Sequence, residues 1–299
     1  MISVIMSVYN TPDEWLRQAI ESVLCQDYRD YEFLIVDDCS SISNKQILDS
    51  YRKKDSRIHV LSNDQNLGLT QSLNRALAIA QGDFVARLDS DDMCLPNRFQ
   101  KQLERFEKNE RLVLCGTGSI RIIDGREESC RPLMGSSEFL KINLLFGNIF
   151  VHSSVMIRMS VLKENRLMYD ENFRLAQDFE LWSRLAIYGD IENLEDILCV
   201  HRVYNEQISF KQIELQNDYR DEIIQRNLKR IGLDVPKQEV ERYLNLFHSK
   251  GKKEHICWIA LYVIRVTTAL IFHYGLKSCK MIKQVLWYSA WAVKKSVLR

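Results

Sequence analysis

The chain has 299 residues, 46% of them apolar and 27% charged, and a formal net charge of +1. That length allows one large α/β domain or one domain with an appendage, and the composition excludes a disordered chain. The balance of charge hides an asymmetry: Lys250 to Arg299 holds ten Lys or Arg and one acid, Glu254, so this tail is about +9 and the remainder about −8.

The first stretch, Ile2 to Val8, is short, apolar and rich in β-branched residues, the pattern of a buried parallel strand. It has no basic leader or cleavage site of a secretory signal. Tyr9-Asn10-Thr11-Pro12 stops the strand and starts a helix, with Asn10 or Thr11 as cap and Pro12 in the first helical position. Trp15, Ala19, Ile20, Val23 and Leu24 give that helix an apolar face. A second strand, Tyr31 to Val36, ends in Asp37-Asp38-Cys39-Ser40-Ser41. A helix over about Asn44–Lys54 follows, then a strand at Ile58–Leu61 and the segment Asn63 to Gly68. Another helix runs from about Thr70 to Ala80, with Gly82 ending it. The fourth strand, Asp83 to Ala86, leads into Arg87-Leu88-Asp89-Ser90-Asp91-Asp92.

Strand and helix alternate four times in the first 90 or so residues, the pattern of a doubly wound α/β domain. Polar residues gather after strand carboxyl ends, where open α/β sheets bind ligands. Read as an extended strand end, the acidic cluster puts Asp89 and Asp91 on one side. Their repulsion is relieved by a divalent cation, or the cluster is a solvated turn capping a helix near Pro96; both readings are open here. No G-x-G-x-x-G follows the first strand and no G-x-x-x-x-G-K-[ST] occurs, which disfavours nicotinamide cofactors and P-loop nucleotides. The eight cysteines form no C-x-x-C pair, so free thiols are expected and a structural zinc is not.

Several segments, in order, resemble the inverting glycosyltransferases of family 2, which have the GT-A fold. They are Ser3 to Asn10, Ser22 to Gln26, Ile35 to Ser40, Asn66-Leu67-Gly68, Ala86 to Asp92 with Pro96-Asn97-Arg98, and Gln177 to Trp182. The resemblance covers about residues 1–210 and implies a Rossmann-like α/β sheet with helices on both faces. It implies that Ser7, Tyr9, Asp37, Asp38 and Asp89 bind the nucleotide of a sugar donor. Asp89-Ser90-Asp91 matches the family's D-x-D motif, with Asp91 as direct ligand of Mn2+ or Mg2+ and Asp89 beside it. The metal would act as a Lewis acid on the departing diphosphate.

Asp178 matches the family's general base, which removes the acceptor proton as the sugar is transferred with inversion. Gln177 stands where many members have Glu. His152, Gln177 and Trp182 fall on the acceptor side. Arg87 either reaches a phosphate or pairs with a neighbouring Asp, and Asp92 is a helix-start residue, a supporting partner or solvated charge. Many members have a Tyr-Arg-x-His run where this chain has His201-Arg202-Val203-Tyr204. Aromatic and imidazole are exchanged, and a neutral phenol is a poor ligand for a hard metal, so metal binding is carried to neither.

The region 115–175 has no regular pattern. Beyond Ser209 the pattern is helical: Phe210–Ile231 ended by Gly232, Pro236–Phe247, and two helices after Lys250. The expected division is a catalytic domain over 1–210 and a helical extension over 211–299, with a basic amphipathic tail over about 250–299. Its lysines and tryptophans suit an anionic membrane surface, or else a helical hairpin packed on protein. Ile256 to Phe272 is broken by Arg265 and does not read as a spanning helix.

The combined expectation is an enzyme of hexosyl- or N-acetylhexosaminyl-transferase type. It would move a sugar from a nucleotide-diphosphate donor, UDP-linked, to a glycan or lipid-linked glycan in bacterial polysaccharide assembly. The setting would be cytoplasmic, peripheral on the inner face of the membrane, with no nucleic-acid partner. A non-catalytic nucleotide-binding scaffold at the membrane is the alternative. A sugar nucleotidyltransferase would need a Gly-rich basic loop that Ser7 to Pro12 lacks, and a receiver-like domain would leave Asp178 unexplained.

Overall fold

The computed structural model describes residues 1–204, 212–240, 265–270 and 272–273. The strands are β1 (Ile2–Val8), β2 (Tyr31–Asp37), β3 (Ile58–Ser62), β4 (Phe84–Arg87), β5 (Met93–Cys94), β6 (Leu112–Ile123), β7 (Arg126–Cys130), β8 (Met156–Arg158) and β9 (Asp190–Val203). The helices are α1 (Asp13–Leu24), α2 (Ile42–Lys54), α3 (Leu69–Ile79), α4 (Arg98–Lys108), α5 (Ser137–Leu144), α6 (Met159–Glu164), α7 (Gln177–Leu185) and α8 (Ile213–Arg230).

One sheet has the order β3-β2-β1-β4-β8-β6-β9-β5, with β7 paired to β6. The pairs β1–β2, β1–β4 and β2–β3 are parallel, so the first four strands point their carboxyl ends the same way. β1 lies between β2 and β4, so successive crossovers leave it in opposite directions. The crevice at such a switch point is where open sheets take ligands. β1 and β2 are buried along their whole lengths, because helices cover both faces. Ile2, Val4, Met6 and Val8, one face of β1, join Leu16, Ile20 and Val23 of α1, Ile47 and Leu48 of α2, and Phe99, Leu103 and Phe106 of α4 in the core. Alternation along β1 sends Ile5 to the opposite face.

Several local expectations are corrected. Pro12 is the N-cap of α1, not its first helical residue, and no side chain caps it. The two expected caps are used elsewhere: Asn10 Oδ1 accepts the Ser41 N–H at 2.9 Å, and Thr11 Oγ1 lies 2.7 Å from Ser90 Oγ. Gly82 does not end α3, which is closed by Ala80. Gly82 is there for close approach, since a Cβ would stand 2.5 Å from Ser3 N. The acidic cluster is not extended: β4 stops at Arg87, and Asp92 N–H closes a turn on Asp89 O at 3.2 Å. β5 separates that turn from α4, so the cluster does not cap a helix at Pro96. The stretch after 115 is also more regular than its pattern. β6 and β7 form a hairpin around Gly125 (φ 75°), and β6 runs parallel to β9.

The chain divides into two compact units, Met1–Leu144 with Asn148–Ile213, and Leu145–Gly147 with Glu214–Arg299. In the second, α8 buries Ile223, Ile224 and Leu228 and ends just before Gly232 (φ 83°). The stretch expected to form a basic amphipathic tail lies outside the described residues, apart from 265–270 and 272–273. Among the described residues no helix is long and apolar enough to cross a membrane. The six cysteines described are free thiols.

Candidate active site

The carboxyl ends of β1, β2 and β4 carry most of the residues expected to act. Ser7 is nearly buried in β1, and two residues on the Tyr9 ring is 51% exposed at the rim, free to take a planar ligand. Asp37 and Asp38 follow from β2, both buried. Asp38 is engaged by three donors: Asn63 Nδ2 at 2.6 Å and Leu67 N–H at 2.8 Å on Oδ1, and Gly68 N–H at 2.8 Å on Oδ2. It therefore pins the loop that leads into α3. Asp37 accepts Ser40 N–H at 2.8 Å through Oδ1.

The turn after β4 is a cluster of carboxylates with distinct environments. Arg87 is fully buried and pairs with Asp89 Oδ1, which decides between the two roles open for it in favour of the ion pair. Burial pushes the Asp89 carboxyl up, but the Arg87 charge together with the hydrogen bonds from Arg87 and Ser153 holds it well below the ordinary carboxylate range. Asp91 is raised, first by burial and then by the charge of Asp89. Asp92 is neither a helix start nor solvated: it is 1% exposed, and Oδ1 accepts the Arg202 N–H at 2.9 Å. Burial and then the charges of Asp91 and Asp89 raise it well above the usual range.

Ser153, at the centre of the 3-10 turn His152–Ser154, ties this cluster together. Its Oγ accepts the Asp89 N–H at 3.1 Å and lies 2.8 Å from Asp89 Oδ2 and 2.5 Å from Asp92 Oδ2. A hydroxyl has one hydrogen and cannot donate to both carboxylates. The raised proton affinity of Asp92 makes it the carboxyl favoured to hold a proton at this junction.

His152 is nearly buried beside them. Nδ1 stands 4.0 Å from Asp89 Oδ2, and Nε2 is 3.1 Å from the Tyr169 hydroxyl. Burial, then the Arg87 charge, pushes the imidazole down to about 3, so it is neutral at pH 7. The His152 ring meets the rings of Tyr169 and Trp182 edge-on, with centroids 5.8 and 6.0 Å away. Tyr169 is held through its backbone by Asn74 of α3, which donates to Tyr169 O and accepts from Tyr169 N, both at 2.9 Å.

α7 brings Asp178 to the same region. Asp178 sits in the first turn of the helix, where the dipole favours a carboxylate. Its Oδ1 accepts Phe179 N–H at 2.7 Å and its Oδ2 accepts Asn148 Nδ2 at 2.6 Å. Burial and the negative charge of Asp89 raise its pKa, while these hydrogen bonds oppose the rise. Gln177 is buried with Oε1 unbonded among the described residues, and Trp182 is fully buried with Nε1 likewise unbonded. Glu180 is spent on an ion pair with Arg184 one turn on.

Sequence reasoning missed Ser153, Tyr169 and Asn148 as individual residues. Ser153 adjoins His152, which the resemblance singled out, and a hydroxyl next to that residue was its only signal. Nothing local marks Tyr169 or Asn148. Arg202 and Tyr204, to which no metal role was carried, both reach the acidic turn: Arg202 Nη1 donates to Asp91 O, and the Tyr204 hydroxyl donates to Asp91 Oδ2 at 2.9 Å.

A family model described as glycosyl transferase family 2 matches residues 3–165. An uncharacterized glycosyltransferase of Methanocaldococcus jannaschii is 32% identical over 224 residues, 73% of this chain and 76% of that protein. The O-antigen biosynthesis glycosyltransferase WbnJ of Escherichia coli is 34% identical over 215 residues, 69% of this chain and 80% of WbnJ. Among solved structures, residues 1–349 of S. aureus TarS in complex with UDP-GlcNAc align with a TM-score of 0.65 at 19% identity, over 90% of this chain and 81% of that one. The mannosyltransferase PcManGT of Pyrobaculum calidifontis, in complex with GDP-Man and Mn2+, aligns with a TM-score of 0.59 at 15% identity, over 98% of this chain and 80% of that one. The fold is that of the GT-A glycosyltransferases. With its sheet order, its acidic turn at the switch point and this match over more than half its length, the chain belongs to glycosyl transferase family 2 and is a glycosyltransferase.

Proposed function

We propose that this chain transfers a sugar, with inversion, from a UDP-linked donor to a hydroxyl of a glycan or lipid-linked glycan, using a divalent cation. The observation that carries the reading is that α7 packs Trp182 against His152, which lies beside Asp89, so that Asp178 in the same helix's first turn, held at both oxygens, stands on the side of the acidic turn. A carboxylate poised this way suits a general base working opposite a charged leaving group.

In this reading Tyr9 stacks on the base, and Ser7, Asp37 and Asp38 border the base and ribose. Asp91, with Asp89 beside it, holds Mn2+ or Mg2+. The donor set fits a hard cation: oxygen ligands, like charges adjacent, and no ion pair to the Asp91 carboxylate among the described residues. Among those residues no three His, Cys, Asp or Glu side chains converge on one point. The described residues thus supply part of a shell, which donor phosphate oxygens would complete. When bound, the cation neutralises charge on the departing diphosphate. Asp178 accepts the acceptor proton, with Asn148 fixing its orientation. His152 and Gln177 border the acceptor side, with the buried Trp182 ring packed against His152.

Support for UDP comes from the TarS complex, for a cation from the PcManGT complex, and for a surface polysaccharide acceptor from WbnJ. Residues 1–210 would hold the catalytic function and 211–299 an extension. Its basic tail would rest on the anionic inner face of the membrane, in a peripheral cytoplasmic enzyme. The primary test is calorimetry of UDP, GDP, CDP and dTDP with Mn2+ and with EDTA, on the wild type and Asp91→Ala. Metal-dependent binding of UDP that Asp91→Ala abolishes supports the reading. Binding of no nucleotide under any condition sinks it. Flotation of the chain with anionic but not neutral vesicles tests the tail.

A further inference from the structure

The acidic turn is gripped from one side by the end of β9. Arg202 and Tyr204 are two apart and so face the same way from an extended strand. Between them they hold three atoms of the turn. Arg202 N–H donates to Asp92 Oδ1, its guanidinium donates to Asp91 O, and the Tyr204 hydroxyl donates to Asp91 Oδ2 at 2.9 Å. Trp15 of α1 braces both donors. Its ring lies 5.1 Å from the Tyr204 ring, tilted by 57°, and 5.3 Å from the Arg202 guanidinium carbon. Arg202 also reaches Gln18 one turn along α1. A tyrosine held at its ring by a neighbouring helix, with its hydroxyl on one carboxylate oxygen, has little freedom to turn away.

We propose that Tyr204 is a positioning residue for the donor's cation. By holding Asp91 Oδ2, it fixes the carboxylate rotamer and leaves Oδ1 as the oxygen presented to the metal. This rests on the reading that Asp91 is the metal ligand. The phenol does not bind the metal itself. A side chain held in place before the ion arrives loses less freedom on binding, which is how a supporting hydrogen bond contributes to metal affinity. The arrangement also accounts for an aromatic hydroxyl at this position, where an imidazole would offer the metal a ligand of its own.

The test compares the 299-residue wild type, Tyr204→Phe, Trp15→Leu and Asp91→Ala. Mn2+ binding in the presence of UDP is followed by electron paramagnetic resonance, and UDP binding in EDTA by calorimetry. Tyr204→Phe keeps the ring on Trp15 and deletes only the hydroxyl, so its melting temperature and its UDP affinity in EDTA should match wild type. Its Mn2+ affinity should fall about tenfold, the loss of one hydrogen bond to a charged group. The KM for Mn2+ in transfer should rise in parallel, with kcat changed by less than about threefold. Equal Mn2+ affinity in wild type and Tyr204→Phe overturns the inference while leaving the cation site intact. If wild type shows no Mn2+-dependent gain, or Asp91→Ala retains that gain, the cation reading itself fails. Should Tyr204→Phe be unstable, Trp15→Leu decides: it keeps the hydroxyl and removes the brace, so weaker Mn2+ binding supports the clasp and unchanged binding overturns it.

Discussion

Asn148 Nδ2 donates to Asp178 Oδ2 at 2.6 Å, so the side chain read as the base is held at both oxygens, the other by the Phe179 N–H. Asp178→Asn should therefore lower transfer by about 10²–10⁴-fold, with UDP binding unchanged. Asn148→Ala should cost less in kcat and should change the pH profile. The base acts ionised, and burial raises its pKa while the Asn148 bond lowers it. Removing that bond moves the acid limb of kcat to higher pH. A limb that stays put or moves down would detach Asn148 from the base.

The exposed Tyr9 ring separates binding from folding. Tyr9→Ala should weaken UDP by about five- to a hundredfold, the range expected for one base stacked on an aromatic. Tyr9→Phe should bind as wild type, and neither variant should change the urea midpoint. Calorimetry on the three proteins decides it.

Asp37 and Asp38 adjoin in sequence and differ in use. Asp38 satisfies three donors of the 63–68 segment. Asp38→Ala leaves the Leu67 and Gly68 N–H groups without an acceptor and Asn63 Nδ2 with Ser72 Oγ alone, and should lower the unfolding free energy by about 3 kcal/mol. Asp37→Ala loses one such bond within the protein and should act mainly on nucleotide affinity. Paired urea titrations and UDP isotherms distinguish them. Equal stability of the two variants would contradict the assignment.

Gly82 packs directly on β1. A Cβ there would lie 2.5 Å from Ser3 N and 2.8 Å from Ile2 C, both backbone atoms that cannot rotate aside. Gly82→Ala should destabilise by about 2–3 kcal/mol, read from chemical denaturation. A near-neutral result would mean that β1 and the 80–83 segment separate readily.

Much of the α/β half was legible because its signals are local. Ile2 to Val8 and Tyr31 to Val36 are short apolar runs, and all residues of both strands are buried. Gly232 marks the end of α8 with positive φ. The sequence misled where side chains had more than one use. Asn10 and Thr11 look like caps, yet one serves Ser41 and the other Ser90. Asp89 to Asp92 look like a strand end, but a turn lets each carboxyl find a different partner. The long strand β6 was illegible because, beside its hairpin partner β7, it is held by β8 and β9, both remote in sequence.

By itself, then, the chain's order of residues determined which segments form strands and helices and which polar groups stand at strand ends. Those properties depend on periods of two to four residues and on turn chemistry close at hand. Only the tertiary structure decided what each polar group does. Ser153 is 61 residues from Asp92, Tyr204 is 113 from Asp91, and Asn148 is 30 from Asp178. Protonation and rotamer depend on charge and hydrogen bonding through space, which act over a few ångströms whatever the separation along the chain. Four aspartates with the same intrinsic chemistry thus became an ion-paired carboxylate, a hydrogen-bonded one beside a like charge, a buried one of raised proton affinity and a raised one at a helix start.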